Sequence, residues 1–306
     1  MALRVYGPQP NEVAVVHWDH DKVLIGDLTT SVLARHSPLL PGPYVEEFVE
    51  RRKWFRYDDV RTWEDKNQRG INTTGDLADM LTDFLYKVMR PDGNPVLTKD
   101  QTVQAKNYIL RGLTVGQVEE IIQEVPLTDG VSVGIERFRL ADLAQTLFSD
   151  GLGIAVDHQR NRLSLDAGGG VPALLEGIPS NSITHSRDGL DIDLLAYTGA
   201  RLSGDVVKYD KWEASKDYRD GFTSGLTWGN VAIIDDSAAN VRQMKAAWSE
   251  GAVVVAFNPT EPHFKQFKGA GIPVLKQDEP DVSPFVDIVL EADLARRAVL
   301  IQRYCV

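Results

Sequence analysis

The pattern of apolar and polar positions divides the chain into three segments. Residues 12–34 contain two β-like apolar runs, Val13–Trp18 and Lys22–Gly26, followed by a small polar stretch at 27–31. Residues 35–130 are rich in charged side chains, and their apolar residues recur at helical spacing, a pattern that predicts helices. The clearest example is the set Leu77, Met80, Leu81, Phe84 and Leu85. From about residue 131 onward, strand-like and helix-like patterns alternate.

The third segment predicts a parallel sheet with helices on both faces. A helix is expected around 132–148, another over Ala238–Trp248, and a hairpin around Asp188-Gly189. The predicted strands are Gly153–Val156, Ser182–His185, Val231–Ile234, Val253–Phe257, Ile272–Leu275 and Asp287–Leu290. Continuous apolar strands alternating with helices are typical of a doubly wound α/β fold. We therefore predict a core domain from 1–34 and 131–306, with 35–130 as an inserted helical domain.

Composition and charge exclude several classes of protein. The 306 residues carry a formal net charge of −11, and no run of Lys and Arg suggests a nucleic-acid-binding face. The apolar runs are far shorter than a membrane span, and the first residues have no signal-peptide pattern, so we expect a cytoplasmic protein. The single cysteine, Cys305, excludes an intrachain disulfide and a multi-cysteine metal site.

Polar residues at the ends of the predicted strands indicate the chemistry, because ligands of such sheets bind at the carboxyl ends of the strands. Carboxylates follow three strands, and two lysines lie just before a predicted helix at 212–218: Asp27, Asp157, Asp235, Asp236, Lys208 and Lys211. Carboxylates bind Mg²⁺, and one of them can attack phosphorus while a lysine neutralises charge. Asp after a strand also commonly caps the next helix, which is the simpler interpretation of any one of them.

Two stretches resemble motifs of the haloacid dehalogenase (HAD) superfamily. Ala232–Val241 resembles its fourth motif, and Val23–Ser31 resembles its first motif with Asp27 as nucleophile. Within the superfamily the chain looks most like the phosphoserine-phosphatase-like branch. Arg56–Asp59 and Thr74–Leu77 are similar to cap segments of archaeal HAD proteins in that branch.

The resemblance implies a HAD-like Rossmannoid core with a helical cap that closes over the substrate. It further implies Mg²⁺-dependent transfer of a phosphoryl group from a small phosphorylated metabolite to Asp27. Asp27, Asp235, Asp236 and Asn240 would hold the metal, and Lys211 or Lys208 would neutralise the phosphate.

Three departures from the family pattern favour an alternative. Thr29 stands where HAD phosphatases carry a general acid, Asp157 stands where the second motif supplies a hydroxyl, and Asn240 replaces a carboxylate. General acid–base help is typically worth roughly 10²–10⁴-fold. The alternative function is a degenerate HAD-fold binding or assembly protein with little or no hydrolase activity.

A second candidate for the first motif lies upstream. Val13–Trp18 is followed by Asp19-His-Asp-Lys-Val23, which fits the formal Asp-x-Asp pattern better than the sequence at Asp27 does. We interpret it as a turn joining two strands, because the cap similarities follow Asp27 at the expected spacing. With His17 and His20, the two aspartates could also form a metal site, a less favoured interpretation than solvated turn residues.

Overall fold

A computed structural model describes eleven stretches of the chain: residues 12–36, 57–86, 115–149, 153–165, 182–186, 189–193, 201–202, 205–206, 211–221, 225–238 and 241–306. Lys208 and Asn240 lie outside them. The strands are β1 (Val15–Trp18), β2 (Ala144–Leu147), β3 (Ser182–Ser186), β4 (Gly189–Asp193), β5 (Arg201–Leu202), β6 (Asp205–Val206), β7 (Val231–Asp235), β8 (Val253–Phe257) and β9 (Val274–Leu275). The helices are α1 (Thr29–His36), α2 (Tyr57–Asn67), α3 (Thr74–Tyr86), α4 (Val115–Glu124), α5 (Val131–Leu140), α6 (Gly153–Arg162), α7 (Lys211–Asp220), α8 (Val241–Ser249), α9 (Glu261–Ala270), α10 (Ser283–Leu290) and α11 (Leu294–Tyr304).

Five of these strands form one parallel sheet in the order β2-β1-β7-β8-β9. Helices cover both faces of this sheet. Successive residues of β7 and β8 accordingly point into two different cores. Ile234 and Val255 pack in one core, whereas Ile233 and Val254 pack in the other with Phe267 of α9. Such two-sided burial is the reason why the central strands are continuously apolar. The predicted α/β fold class is therefore confirmed, and the predicted hairpin near 188 is present as β3 and β4.

The strand predicted at Lys22–Gly26 was wrong. These residues form a tight loop after β1, in which the N–H groups of Leu24 and Ile25 donate to the carbonyl of His20 at 3.0 and 3.2 Å. Val23, Leu24 and Ile25 are nevertheless fully buried. The apolar run thus reflects a loop that packs into the core, which periodicity alone does not separate from a short buried strand.

Several elements after residue 131 were predicted at the wrong positions or as the wrong type. Helix α5 ends at Leu140, β2 follows within the range predicted as helix, and Gly153–Val156 lies in α6. The polar residues Gln145 and Thr146 interrupt the apolar pattern of β2, so the sequence gives no strand signal there. Gln145 accepts a hydrogen bond from the indole of Trp18 at 3.2 Å and donates one to the carbonyl of Ile135 at 2.9 Å. Similarly, 287–290 belongs to the buried helix α10 and not to a strand.

Helices of the predicted insert pack against α1 and α6. Helix α1 contacts α3 and α4, and α4 contacts α6. The buried residues Leu77 and Met80 of α3, and Val118 and Ile122 of α4, fit the helical spacing seen in the sequence. Because α1 continues to His36, it runs past the domain boundary placed at residue 34, and that division of the chain stays a prediction. In the part of the chain that the structure describes, no helix is both long and apolar enough to span a membrane.

Candidate active site

Three carboxylates meet at the carboxyl ends of the adjacent strands β1 and β7. Asp19 follows β1 directly, Asp235 is the last residue of β7, and Asp236 follows it. One oxygen from each lies within 4.8 Å of the others. All three residues are buried, with exposed fractions of 6%, 2% and 3%.

This carboxylate cluster fits a hard divalent cation. Carboxylates this close and this poorly hydrated repel one another, so the ionised forms need a compensating positive charge. Oxygen donors of this kind suit Mg²⁺. Asp19, Asp235 and Asp236 are therefore the residues that could hold a metal ion.

A further carboxylate, that of Asp21, lies two positions after Asp19. Its Oδ1 atom accepts hydrogen bonds from the backbone N–H of Thr29 at 3.0 Å and from the Thr29 hydroxyl, and it lies 3.0 Å from Nδ1 of His20. Lys22, the next residue, has a φ of +60°, a conformation that non-glycine residues seldom adopt and that is concentrated at functional loops. The Asp19-His-Asp21 segment is thus a constrained loop at a strand end and not a solvated hairpin turn.

Asp27 does not belong to the group of three close carboxylates. Its Oδ2 accepts from Arg35 at 2.6 Å, its Oδ1 accepts from the N–H of Leu28 at 2.7 Å, and its side chain is 39% exposed. The premise that placed it in the site, a strand ending at residue 26, was wrong. Asp27 lies two residues before α1, and the N–H of Thr29 at the start of that helix bonds to Asp21 instead.

A buried hydroxyl residue that the sequence reasoning passed over, Ser149, lies just after the end of β2. Ser149 is 2% exposed. The N–H of Phe148 donates to the carbonyl of Trp18 at 2.9 Å, which holds this strand end beside Asp19. Asp157, predicted at this position, lies inside α6. A correct placement of β2 would have pointed to Ser149.

A basic side chain that the sequence reasoning missed, His263, lies next to the cluster. His263 lies in the first turn of α9 and is 8% exposed. Burial lowers the pKa of His263; a hydrogen bond to the backbone of Asp236 and the charge of Asp235 oppose this, and the charge of Lys22 adds to it. Lys211, which was predicted to lie just before a helix, is the first residue of α7. The position of its side chain lies outside the described part of the structure.

Comparison with known proteins finds likeness in structure but not in sequence. No family model and no curated protein matches the chain. A substrate-bound phosphoserine phosphatase is 16% identical, with a TM-score of 0.53 over 91% of this chain and 99% of that one. A phospho-aspartyl intermediate analogue of phosphoserine phosphatase gives 16% identity and a TM-score of 0.51 over the same shares.

A HAD family hydrolase from Salmonella enterica serovar Typhi is also similar in structure. It is 13% identical and has a TM-score of 0.50 over 85% of this chain and 67% of its own length. The chain has the fold of these phosphatases. At such identities the likeness concerns the fold, and the chemistry has to be argued from the site itself.

Proposed function

We propose that this protein is a Mg²⁺-dependent phosphatase of the HAD superfamily, in its phosphoserine-phosphatase-like branch. It would act on a small phosphorylated metabolite through an aspartyl-phosphate on Asp19. The observation that carries the proposal is the buried cluster of Asp19, Asp235 and Asp236 at the carboxyl ends of two adjacent parallel strands. Asp19 replaces Asp27 as the proposed nucleophile.

The proposed reaction has two balanced steps. A carboxylate oxygen of Asp19 attacks phosphorus, the bond from phosphorus to the ester oxygen breaks, and the leaving alcohol takes a proton from Asp21. Water then attacks the phosphorus of the aspartyl-phosphate and gives a proton to Asp21. This step releases inorganic phosphate and restores the Asp19 carboxylate.

Asp19, Asp235 and Asp236 would hold the Mg²⁺. When bound, the metal would offset the charge of the carboxylates and of the phosphoryl oxygens. The hydroxyl of Ser149 would donate to a phosphoryl oxygen, and Lys211 or Lys208 would bring a positive charge, as the resemblance implies. The helical insert would exclude water from the site.

Two of the three departures that favoured a non-catalytic protein no longer apply once Asp19 is the reference residue. Asp21, and not Thr29, then stands at the position of the general acid. Ser149, and not Asp157, follows the second strand of the sheet. The third departure, Asn240, lies outside the described residues. The corrected register therefore supports a hydrolase over a binding or assembly protein.

The deciding experiment compares Asp19→Asn with Asp27→Asn. Phosphate release from a panel of small phosphate esters is measured with Mg²⁺ present. We expect Asp19→Asn to lose at least about 10³-fold in rate, as removal of a nucleophile does in other hydrolases, and Asp27→Asn to keep near-wild-type activity. Loss of activity in Asp27→Asn with normal activity in Asp19→Asn would overturn the assignment. Equal background rates in both variants and the wild type would favour a non-catalytic protein.

A further inference from the structure

Three hydrogen-bonded side chains, those of His20, Asp21 and Thr29, join the loop after Asp19 to the start of α1. His20 and Thr29 are 0% and 1% exposed, and both contact the carboxylate of Asp21. The Thr29 hydroxyl also lies 3.1 Å from Nδ1 of His20. All of these contacts converge on the same two polar atoms, Oδ1 of Asp21 and Nδ1 of His20.

The number of protons available fixes the direction of these bonds. Asp21 Oδ1 receives the backbone N–H and the hydroxyl hydrogen of Thr29. A hydroxyl has a single hydrogen, so Thr29 has none left to give to His20. Nδ1 of His20 must therefore carry a hydrogen of its own and donate it toward Asp21 or the Thr29 oxygen. With the Asp21 proton on Oδ2 or absent, this hydrogen count assigns the Nδ1–H form to the ring.

We propose that Thr29 and His20 are positioning residues for Asp21, an inference that rests on the proposed function. Thr29 directs two donors at Oδ1, and Nδ1 of His20 lies within hydrogen-bonding distance of the same oxygen, so the rotation of the carboxylate is fixed. The proton transfer to the leaving alcohol then falls to the other oxygen, Oδ2. Thr29, one of the three departures from the family pattern, would hold the proposed general acid in place.

The position of Thr29 makes this arrangement depend on α1. Thr29 is the first residue of that helix, and its N–H is one of the donors that an isolated helix leaves without a partner. Asp21 fills this need although it lies eight residues earlier in the chain. The same bond that caps α1 thus orients the acid, and α1 in turn contacts α3 and α4.

The first test uses esters that differ in how much they need an acid. The leaving group of 4-nitrophenyl phosphate departs without a proton, whereas that of phenyl phosphate is a poorer one. Thr29→Val keeps the shape and the backbone N–H but removes one donor. We compare kcat/KM, which reports the step in which the leaving group departs and not the later hydrolysis of the aspartyl-phosphate, a step that both esters share. We expect about a tenfold lower kcat/KM on phenyl phosphate and less than about a twofold change on 4-nitrophenyl phosphate. Thr29→Ser, which retains the hydroxyl, should restore most of the rate.

An equal loss on both esters, or no loss on either, would overturn the positioning role, because a general weakening of the fold does not depend on the leaving group. Wild-type protein that is inactive on both esters, and on the panel above, would instead contradict the proposed function. The melting temperatures of Thr29→Val and Thr29→Ser, compared with that of the wild type, show whether both variants are folded under the assay conditions.

The second test needs no activity. Nitrogen NMR of the imidazole rings distinguishes the Nδ1–H from the Nε2–H form, and His20→Gln identifies the His20 signals among the six histidines. We expect His20 in the Nδ1–H form in the wild type. A ring that carries its only proton on Nε2 would overturn the arrangement.

Discussion

The backbone N–H of Asp19 donates to the carbonyl of Ile234 at 3.1 Å, which continues the parallel ladder one step beyond the pair Trp18 and Ile234. This bond sets Asp19 beside Asp235 at the end of β7. A shift of one residue would turn every side chain of β1 to the opposite face. The buried contacts of Trp18 with Phe138 and Phe285 resist such a shift, so the packing of the core also fixes the geometry of the carboxylate cluster.

Removal of one cluster carboxylate should weaken metal binding and stabilise the metal-free protein. Asp236→Asn keeps the shape of the side chain but removes a negative charge from a buried repulsive group. We expect the Mg²⁺ concentration for half-maximal thermal stabilisation to rise at least about tenfold, since even residues that only support metal ligands cost 10–100-fold when changed. The melting temperature without metal should rise.

The matched control for this measurement is Asp27→Asn, which changes an aspartate paired with an exposed arginine. Exposed ion pairs contribute about 0–1 kcal/mol, so little change is expected in either quantity. A metal dependence that shifts equally in both variants would contradict the assignment of the cluster.

Ser149→Ala should weaken the binding of phosphate without altering the fold. A hydrogen bond to a charged group is worth about 1.5–3 kcal/mol, which corresponds to about 10–150-fold in the inhibition constant of inorganic phosphate or vanadate. Asp157→Asn, which changes the residue first predicted at this position, should leave that constant unchanged. The reverse result would restore the original register.

The parts of the fold that could be predicted are those in which burial and periodicity agree. β7 and β8 are continuously apolar because both of their faces are covered, and they were placed correctly. β2 could not be found this way, since Gln145 and Thr146 are polar residues whose burial depends on partners elsewhere in the fold. A short strand with satisfied polar groups gives no apolar signal.

The candidate site was predictable in part for the same reason. Asp235 and Asp236 follow a clear strand, and the structure places them in the cluster. The choice of Asp27 over Asp19 depended on the spacing from Asp27 to the cap similarities and on a strand predicted over Lys22–Gly26. Val23, Leu24 and Ile25 are buried in a loop and not in a strand. Over so few residues, the local sequence does not distinguish a buried loop from a buried strand. The pairing of β1 with both β2 and β7 identifies β1 as the strand, and Asp19 as the residue at its end.

The thiol of Cys305 should react slowly in the native protein. Burial raises the pKa of Cys305 to about 11. An unfolded thiol has a pKa of about 8.5, so at pH 8 the reactive thiolate is about 10²-fold scarcer in the folded state. Reaction with an aromatic disulfide reagent should be slower by about that factor in the native protein than in denaturant. Similar rates in both states would show that the thiol is not buried.

The same shift predicts a loss of stability at high pH. Because the folded pKa lies above the unfolded one, the native state holds the proton more tightly. This contribution is complete below about pH 8.5 and is lost as the pH rises toward 11. Denaturant unfolding of the wild type and Cys305→Ser across this range should show a steeper decline for the wild type, since serine does not ionise there.

Two helical glycines should respond oppositely to alanine. A Cβ added at Gly134 in α5 would lie 2.6 Å from Cγ2 of Val286, a residue buried in α10, so the Val286 side chain or one of the two helices must shift. Overpacking costs about 1–3 kcal/mol, which exceeds the gain of up to about 1 kcal/mol in helix propensity. At Gly269 in α9 no heavy atom lies within 4 Å of the added Cβ, so only the gain applies. Urea unfolding should therefore show a lower free energy of unfolding for Gly134→Ala and an equal or higher one for Gly269→Ala. A Gly134→Ala protein at least as stable as the wild type would mean that α5 and α10 do not pack this closely.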